Sequence, residues 1–407
     1  MNLFLRLVRE VKNIAHLVLA FVAIKKYGNP SKRLHIIGVT GTDGKTTTAN
    51  YIYQLLQFSG KRVALISTVG VFLNGEREAL GFHVTTPSPF VINKYLKEAL
   101  RKNIEYVILE VSSHALDQHR VSGINFEIGV MTNLTREHLD YHKSMERYLS
   151  AKLKLLKSAK KAILNINDYY YKKVVKVIGT EKVKTYSLLN TVSDLAYGSI
   201  QNRTFDKLAS FNKNNIMAAI LTLDELGISR DKYFSKVSEL SLPEGRLQYL
   251  QKSPFQVIID FAHTPNAFMV LLPEFSGTAG RIIHVFGSAG ERDRKKRSDM
   301  GYASSRFADV IILTSEDPRS EKVSEINHAI KKGIAQIFKR VSVEEFKNID
   351  GKFVLEIEDR RKAIEFALKI AKKNDVVLIT GKGPEESMNM GSGEVLWSDI
   401  KVTKELL

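Results

Sequence analysis

The segment GVTGTDGKTTT, Gly38 to Thr48, closes the apolar stretch Leu34 to Val39, and its residue types belong to phosphate chemistry. A buried strand ending near Thr40 and a helix beginning near Lys45 leave Gly41, Thr42, Asp43 and Gly44 to form a tight backbone cradle. The free amides of the helix then face whatever anion sits there. Lys45 would meet the outer phosphates of a nucleotide, the Thr46 hydroxyl would ligate magnesium, and Thr47 lies in the same first turn. The commonest phosphate-loop spacing is not kept, because Val39 stands where G-x-x-x-x-G-K-[ST] has its first glycine. An ordinary strand-turn-helix corner is the plain alternative.

Further polar clusters follow other apolar runs. Glu110-Val-Ser-Ser-His114 places a carboxylate where it could hold a magnesium beside the phosphate loop, and the segment Met131 to His142 brings His138 and Asp140 to the same sheet edge. His138 with Glu110 and Thr46 makes a second metal position reasonable. Lys152 reads as a solvated lysine on a basic helix that also carries Lys154 and Lys157; spacing alone does not select it. The second half holds Asp260-Phe-Ala-His-Thr-Pro265, Gly287-Ser-Ala-Gly-Glu-Arg-Asp293, Glu316-Asp-Pro-Arg319 and Gly381-Lys-Gly-Pro-Glu385. Arg292, Arg319 and Glu385 together could grip a zwitterionic amino acid, since guanidinium forks match carboxylates and a glutamate matches an ammonium. Each of them alone reads as a surface charge.

These groups need a scaffold that delivers them to one edge. After Pro30 the chain alternates apolar strands with amphipathic helices, the pattern of parallel sheets covered on both faces. Expected strands are Leu34 to Val39, Arg62 to Ile66, Tyr106 to Glu110, Ile128 to Thr132 and Ala162 to Asn165. A second set comprises Val257 to Phe261, Ile282 to Phe286, Val310 to Thr314, Phe353 to Ile357 and Val376 to Thr380. In open parallel sheets ligands sit at the carboxyl ends of the strands, where these clusters fall. Leu240 to Gly245 is the expected hinge between the sets.

The 407 residues are too many for one core and fit two or three domains. A formal charge of +17 favours anionic partners. No basic stripe with interleaved aromatics is evident, so a basic nucleic-acid-binding NTPase is the weaker reading and no nucleic acid is expected. No cysteine occurs, which excludes disulfides, thiolate zinc sites and cysteine nucleophiles and fits a cytoplasmic enzyme. Near the N-terminus, Arg6, Arg9 and Lys12, offset by Glu10, precede the apolar run Ile14 to Ile24, which His16 interrupts, and Lys25 and Lys26 follow it. That run is too short for an ordinary membrane span. A helix over residues 3–26 lying on a membrane surface, at the inner membrane face, and a helix packed on the next domain are both compatible with it.

In this order the motifs resemble the Mur ligase family, most closely its MurE-type UDP-N-acetylmuramyl-tripeptide synthetases. The resemblance rests on GVTGTDGKTTT, TTPSPF from Thr85, EVSSHALDQHR from Glu110, TNLTREHLDYH, SAKLKL, FNKNN from Phe211, EGRL from Glu244, DFAHTP, GSAGERDRKKR, EDPR and GKGPE. It implies an α/β fold: a central P-loop-type ATPase domain with a parallel-rich sheet over 34–242, a C-terminal Rossmann-like domain over 243–407, and an N-terminal segment over 1–33. It implies a monomeric, ATP-dependent ligase of peptidoglycan synthesis that activates a muramyl-peptide carboxylate as an acyl phosphate for capture by an amino acid. By the same resemblance Lys45 and Thr46 bind phosphates and the first magnesium, Glu110 and His138 support the metals, and Lys152 is a lysine that becomes carbamylated to orient the second magnesium. Asn212 and Asn215 match adenine contacts; Arg246, Asp260 and His263 match residues engaging ATP from the hinge side. Thr85, Thr86, Ser112, Gln118 and Arg120 match contacts to the muramyl peptide, and Arg292, Asp317, Arg319, Gly381 and Glu385 match the amino-acid pocket.

Departures accompany the likeness. The family usually begins with a uridine-binding domain, whereas residues 1–33 alone precede the first strand here, leaving a non-UDP or lipid-linked acid open as acceptor. Phe261 replaces the usual Tyr, Ala209 the usual Gly and Pro384 the usual His. Asp317 stands where diaminopimelate-adding members commonly have Asn, with Arg319 retained, so diaminopimelate is favoured over lysine.

Overall fold

The strands form where the apolar runs lie. In the computed structural model, which describes residues 3–80, 85–189, 192–200, 203–346 and 351–407, the first nine are β1 (His35–Thr40), β2 (Val63–Ser67), β3 (Gly70–Leu73), β4 (Glu76–Leu80), β5 (Tyr106–Glu110), β6 (Phe126–Met131), β7 (Lys161–Asn165), β8 (Val183–Ser187) and β9 (Leu195–Ala196). They make one sheet in the order β4-β3-β2-β5-β1-β6-β7-β8-β9. From β2 to β9 neighbours are parallel, while β3 and β4 extend one edge as an antiparallel hairpin. Strand β1 is central and almost wholly buried, as strands covered on both faces are. The chain leaves it toward β2 and β5 on one side, then crosses to β6 on the other. The loop after β1 therefore opens at the point where strand order reverses.

One face of this sheet packs the helices Lys45–Phe58 and Ser210–Glu225 around Ile37, Val39, Ile52, Leu56, Ile216 and Ile220. The other carries Ile36, Val107, Leu109, Ile92 and Leu96, the last two from the helix Pro89–Arg101. The N-terminal helix Leu3–Tyr27 lies against that Pro89–Arg101 helix and buries Ala20, Ala23 and Ile24. Among the described residues no helix is long and apolar enough to cross a membrane. The side chains of Arg6 and Arg9 lie outside the described residues.

The second half supplies β10 (Gln248–Gln251), β11 (Gln256–Asp260), β12 (Ile282–Phe286), β13 (Val310–Leu313), β14 (Lys339–Arg340), β15 (Phe353–Glu356) and β16 (Val376–Thr380), ordered β10-β11-β16-β12-β13-β15-β14. All neighbours are parallel except β10 on β11. Its core is the β-branched interior of these strands with Ala363, Ile364 and Ala367 of the helix Arg360–Ile370. The chain divides into two compact units, Met1–Thr135 with His142–Pro243, and Arg136–Tyr141 with Glu244–Leu407.

Candidate active site

The phosphate loop is held from below by the neighbouring strand ends. Thr132, just past β6, donates its hydroxyl to the Asp43 carbonyl at 2.6 Å, and the Asn133 side chain accepts from the Asp43 amide at 2.9 Å and donates to the Asp43 carbonyl at 3.1 Å. A Cβ at Gly41 would lie 1.8 Å from Thr132 Oγ1, so the loop meets β6 only because residue 41 has no side chain. Gly44 caps the helix Lys45–Phe58 at φ 79°, a conformation that favours glycine, with the Asn215 side chain directly behind it. Asn215 accepts from the Thr48 hydroxyl at 3.2 Å and donates to Asn212 at 3.3 Å, which joins those two candidate adenine residues to the first helical turn.

Lys45 and Thr46 open that helix. Lys45 Nζ donates to the Thr42 carbonyl at 2.8 Å, so the ammonium is held at the mouth of its own loop. The Thr46 hydroxyl donates to Glu110 Oε1 at 3.0 Å, while Glu110 Oε2 accepts from the Thr68 amide at 2.9 Å and its hydroxyl at 3.1 Å. The carboxylate at the end of β5 is thus buried yet fixed by three donors. Thr46 and Glu110 offer the hard oxygen donors that magnesium takes, and phosphate and water oxygens would complete its shell. Among the described residues no three His, Asp, Glu or Cys side chains converge to hold a metal without such help. His138 falls in the segment Arg136–Tyr141 of the second unit, with Nδ1 3.9 Å from Glu137 Oε1.

Lys152 corrects the expectation from spacing. It is not on the solvated face of its helix, Met145–Ser158; it is 1% exposed, with Nζ donating to the Gly41 carbonyl at 2.5 Å and 4.5 Å from the Tyr148 ring centre. The hydrophobic period of that helix turns residue 152 inward along with Tyr148 and Leu156. Burial, and then the nearby Lys45, hold its amine well below the usual lysine range, with Asp43 opposing weakly.

The candidate acceptor contacts also form a network within the first unit. The Thr86 hydroxyl donates to the Glu110 carbonyl at 3.0 Å and accepts from the Ser112 amide at 2.9 Å; Arg120 reaches the Thr86 carbonyl at 2.6 Å and holds the Gln118 side chain through two bonds. Thr85, half-buried, precedes them.

In the second unit the polar clusters gather at the ends of β11, β12, β13 and β16. Asp260 accepts from the Leu247 and Ala262 amides, both at 2.7 Å, and so joins its own turn to the segment that leads into β10. The Arg246 guanidinium lies 4.5 Å over the Phe261 ring, and His263 Nδ1 is 2.8 Å from the Phe261 carbonyl. Arg319 donates to the Gly290 carbonyl at 2.7 Å, and the Gly290 amide donates to the Asp317 carbonyl at 2.9 Å, which ties two motif turns together. Lys382, 2% exposed, bridges Asp317 at 2.9 Å and Glu385 at 2.5 Å. Gly381, at φ 111°, leaves room for Glu316, whose Oε2 would lie 2.2 Å from a Cβ there. Arg292 is exposed on the turn after β12.

Residues 39–223 match the Mur ligase middle domain, and residues 245–383 match the Mur ligase, glutamate ligase domain. The chain belongs to the Mur ligase family. The UDP-N-acetylmuramoyl-L-alanyl-D-glutamate–2,6-diaminopimelate ligase of Aquifex aeolicus is 37% identical, over 94% of this chain and 79% of that protein. Ligase 1 of the same name from Clostridium acetobutylicum is 34% identical, over 96% and 81%. A solved structure of an enzyme of that name superposes with a TM-score of 0.58 at 29% identity, covering 92% of this chain and 78% of that one. Folylpolyglutamate synthase of Mycobacterium tuberculosis, at 15% identity, shares the fold with a TM-score of 0.70 over 91% of this chain and 96% of that one.

Some groups of this Mur ligase site escape sequence reasoning. Asn133, which braces the loop, lies inside TNLTREHLDYH without a charge to draw notice, and Thr68, which braces Glu110, lies outside every motif. Lys382 sits inside GKGPE between the two positions chosen there, Gly381 and Glu385, and Glu316 directly precedes Asp317. Burial singles out both, and burial is not written in spacing.

Proposed function

We propose that this chain is an ATP-dependent ligase that adds an amino acid, meso-diaminopimelate, to a UDP-N-acetylmuramyl-peptide in peptidoglycan precursor synthesis. The observation that carries the reading is the loop Gly41 to Thr46 seated between Glu110 and the buried Lys152, a set built to hold phosphates and a cation rather than to supply a nucleophile. The names of the Aquifex and Clostridium relatives support the acceptor and the amino acid.

In this reading the loop amides and Lys45 orient the ATP γ-phosphate toward the acceptor carboxylate. The carboxylate oxygen bonds to phosphorus as the bond to ADP breaks, and the amine of the incoming amino acid then attacks the acyl carbon. Phosphate leaves with the bonding pair and the amine loses a proton to solvent. Thr46 and Glu110 would hold magnesium, and His138 would support a second one; magnesium there would screen the repulsion between ATP and the anionic acceptor. A lysine whose amine burial makes easier to deprotonate can, once neutral, add carbon dioxide with release of one proton, and a carbamate on Lys152 would place a carboxylate behind the loop. Arg120 with Thr86, Ser112 and Gln118 takes the acceptor. Asn212, Asn215, Arg246, Asp260 and His263 serve the nucleotide. Arg319 and Arg292 take amino-acid carboxylates, while Asp317 and Glu385, braced by Lys382, face its ammonium groups. A guanidinium at 319 favours a side chain ending in a carboxylate, which diaminopimelate has and lysine lacks.

The test is phosphate release with ATP, magnesium, UDP-muramyl-dipeptide and a panel of amino acids. Release is expected only when acceptor and diaminopimelate are both present. Release with lysine alone of the panel, or only with a lipid-linked acceptor, would reassign the substrate, and release indifferent to both would sink the ligase reading.

A further inference from the structure

We propose that the outer face of the N-terminal helix Leu3–Tyr27 docks this protein on an anionic lipid bilayer, the helix lying in the headgroup region. The inference is independent of the ligase chemistry. It starts from a division of faces. Ala20, Ala23 and Ile24 are buried against the first unit, with Ile24 so close to Gly123 that a Cβ there would lie 2.6 Å from its Cδ1. That contact fixes which way the opposite face points.

The opposite face is apolar and open. Ile14 is 63% exposed, Val18 55% and Val22 48%, at the i, i+4 and i+8 spacing of one helical stripe, with Leu19 at 46% beside it and Phe21, 55% exposed, at its border with the Gly123 contact. Single exposed apolar side chains are unremarkable, but a contiguous stripe marks a contact surface. The stripe is framed by lysines: Lys12 at one end, Lys25 and Lys26 at the other, all exposed, and residues 12–27 contain no acid. An apolar strip with cationic ends matches acyl chains beneath anionic headgroups.

Other occupants fit less well. The apolar run of 11 residues, Ile14 to Ile24, is about 16 Å long as a helix, roughly half the thickness of a bilayer core, so it lies on a membrane and does not span it. A second copy pairing antiparallel through this stripe would set Lys12 against the partner's lysines, and a parallel pair would set each lysine against itself. Within residues 12–27 there is no acid to relieve either.

The experiment is sedimentation of the full chain with vesicles of phosphatidylglycerol and phosphatidylcholine in equal parts, against vesicles of phosphatidylcholine alone. Binding is expected to the anionic vesicles, weaker to the neutral ones, and weakened by added salt. Changing Val18→Ser with Val22→Ser, both solvent-facing, is expected to lower partitioning about tenfold while the melting temperature holds. Lys12→Gln and Lys25→Gln are each expected to lower it about fivefold. The proposal fails if the chain stays in the supernatant with both vesicles, if the serine variant binds as the parent does, or if the parent is a dimer in solution that the serine variant dissociates.

Discussion

A lysine sealed from water with a peptide carbonyl as its hydrogen-bond acceptor is costly to keep as an ammonium, and Lys152 answers by holding its proton loosely. The unfolded chain binds that proton up to about 10.5, whereas the folded chain gives it up well below. Stability therefore rises with pH through the window between the folded value and 10.5. Lys152→Met keeps the volume without the charge. It is expected to remove that rise and leave the melting temperature at neutral pH no lower, while phosphate release falls about 10²–10³-fold; calorimetry beside the release assay reads both. Glu316 behaves oppositely. Burial raises its carboxyl from 4.5 to about 7, opposed chiefly by Arg360 and Lys296, and Oε2 is without a hydrogen-bond partner. The folded state keeps this proton to higher pH than the unfolded state, so the group's contribution to stability is present below pH 4.5 and lost as pH rises to 7. The loss is about 3 kcal/mol. Urea unfolding of Glu316→Gln should lack that decline relative to the parent, and parallel pH curves for the two proteins would refute the assignment.

Elements decide where such residues meet. The helix Lys45–Phe58 can begin directly behind the loop because Gly44 accepts φ 79° and leaves space for Asn215, whose Oδ1 would be 2.4 Å from an added Cβ. Gly44→Ala combines left-handed strain with displacement of Asn215. It is expected to cost about 1–2 kcal/mol from the backbone alone, seen in urea unfolding, with a larger loss of ATP binding, seen by calorimetric titration. This level also shows what the sequence makes legible. Strands β1, β5, β12 and β16 are buried runs rich in Val and Ile, so their positions follow from hydrophobicity, and the motifs follow them. The hairpin β3-β4, turned by Asn74-Gly75 at positive φ, is not among the expected strands because its second strand is mostly charged. Strand β8 is not legible because Lys184 alternates with Thr185 and Tyr186 on a half-covered strand. The inward face of Lys152 is not legible because a lysine contributes no apolar signal to its helical period.

At the scale of the molecule, each unit closes around its own core, and in the second a fully buried ion pair ties strand ends to a helix. Arg360 and Asp399 are both inaccessible and joined at 2.7 and 2.6 Å, while the same guanidinium donates to the Ser315 carbonyl past β13 and the Thr380 carbonyl of β16. One side chain thus ties the two strand ends that present Glu316, Asp317 and Gly381 to the helix Asp399–Leu406. Such a pair need not stabilise more than apolar packing would, but removing one partner strands the other charge in the interior, at a cost of about 3–5 kcal/mol. Asp399→Asn keeps the shape and the Trp397 contact, since an amide oxygen can still accept from the indole at that site. Because the cores are separate, the loss falls on the second unit. Scanning calorimetry of the variant should show a component of the transition moved to lower temperature while the component of the first unit stays in place. A single transition shifted as a whole would mean that the units melt as one, and an unshifted one would mean that the buried pair carries none of the stability assigned to it.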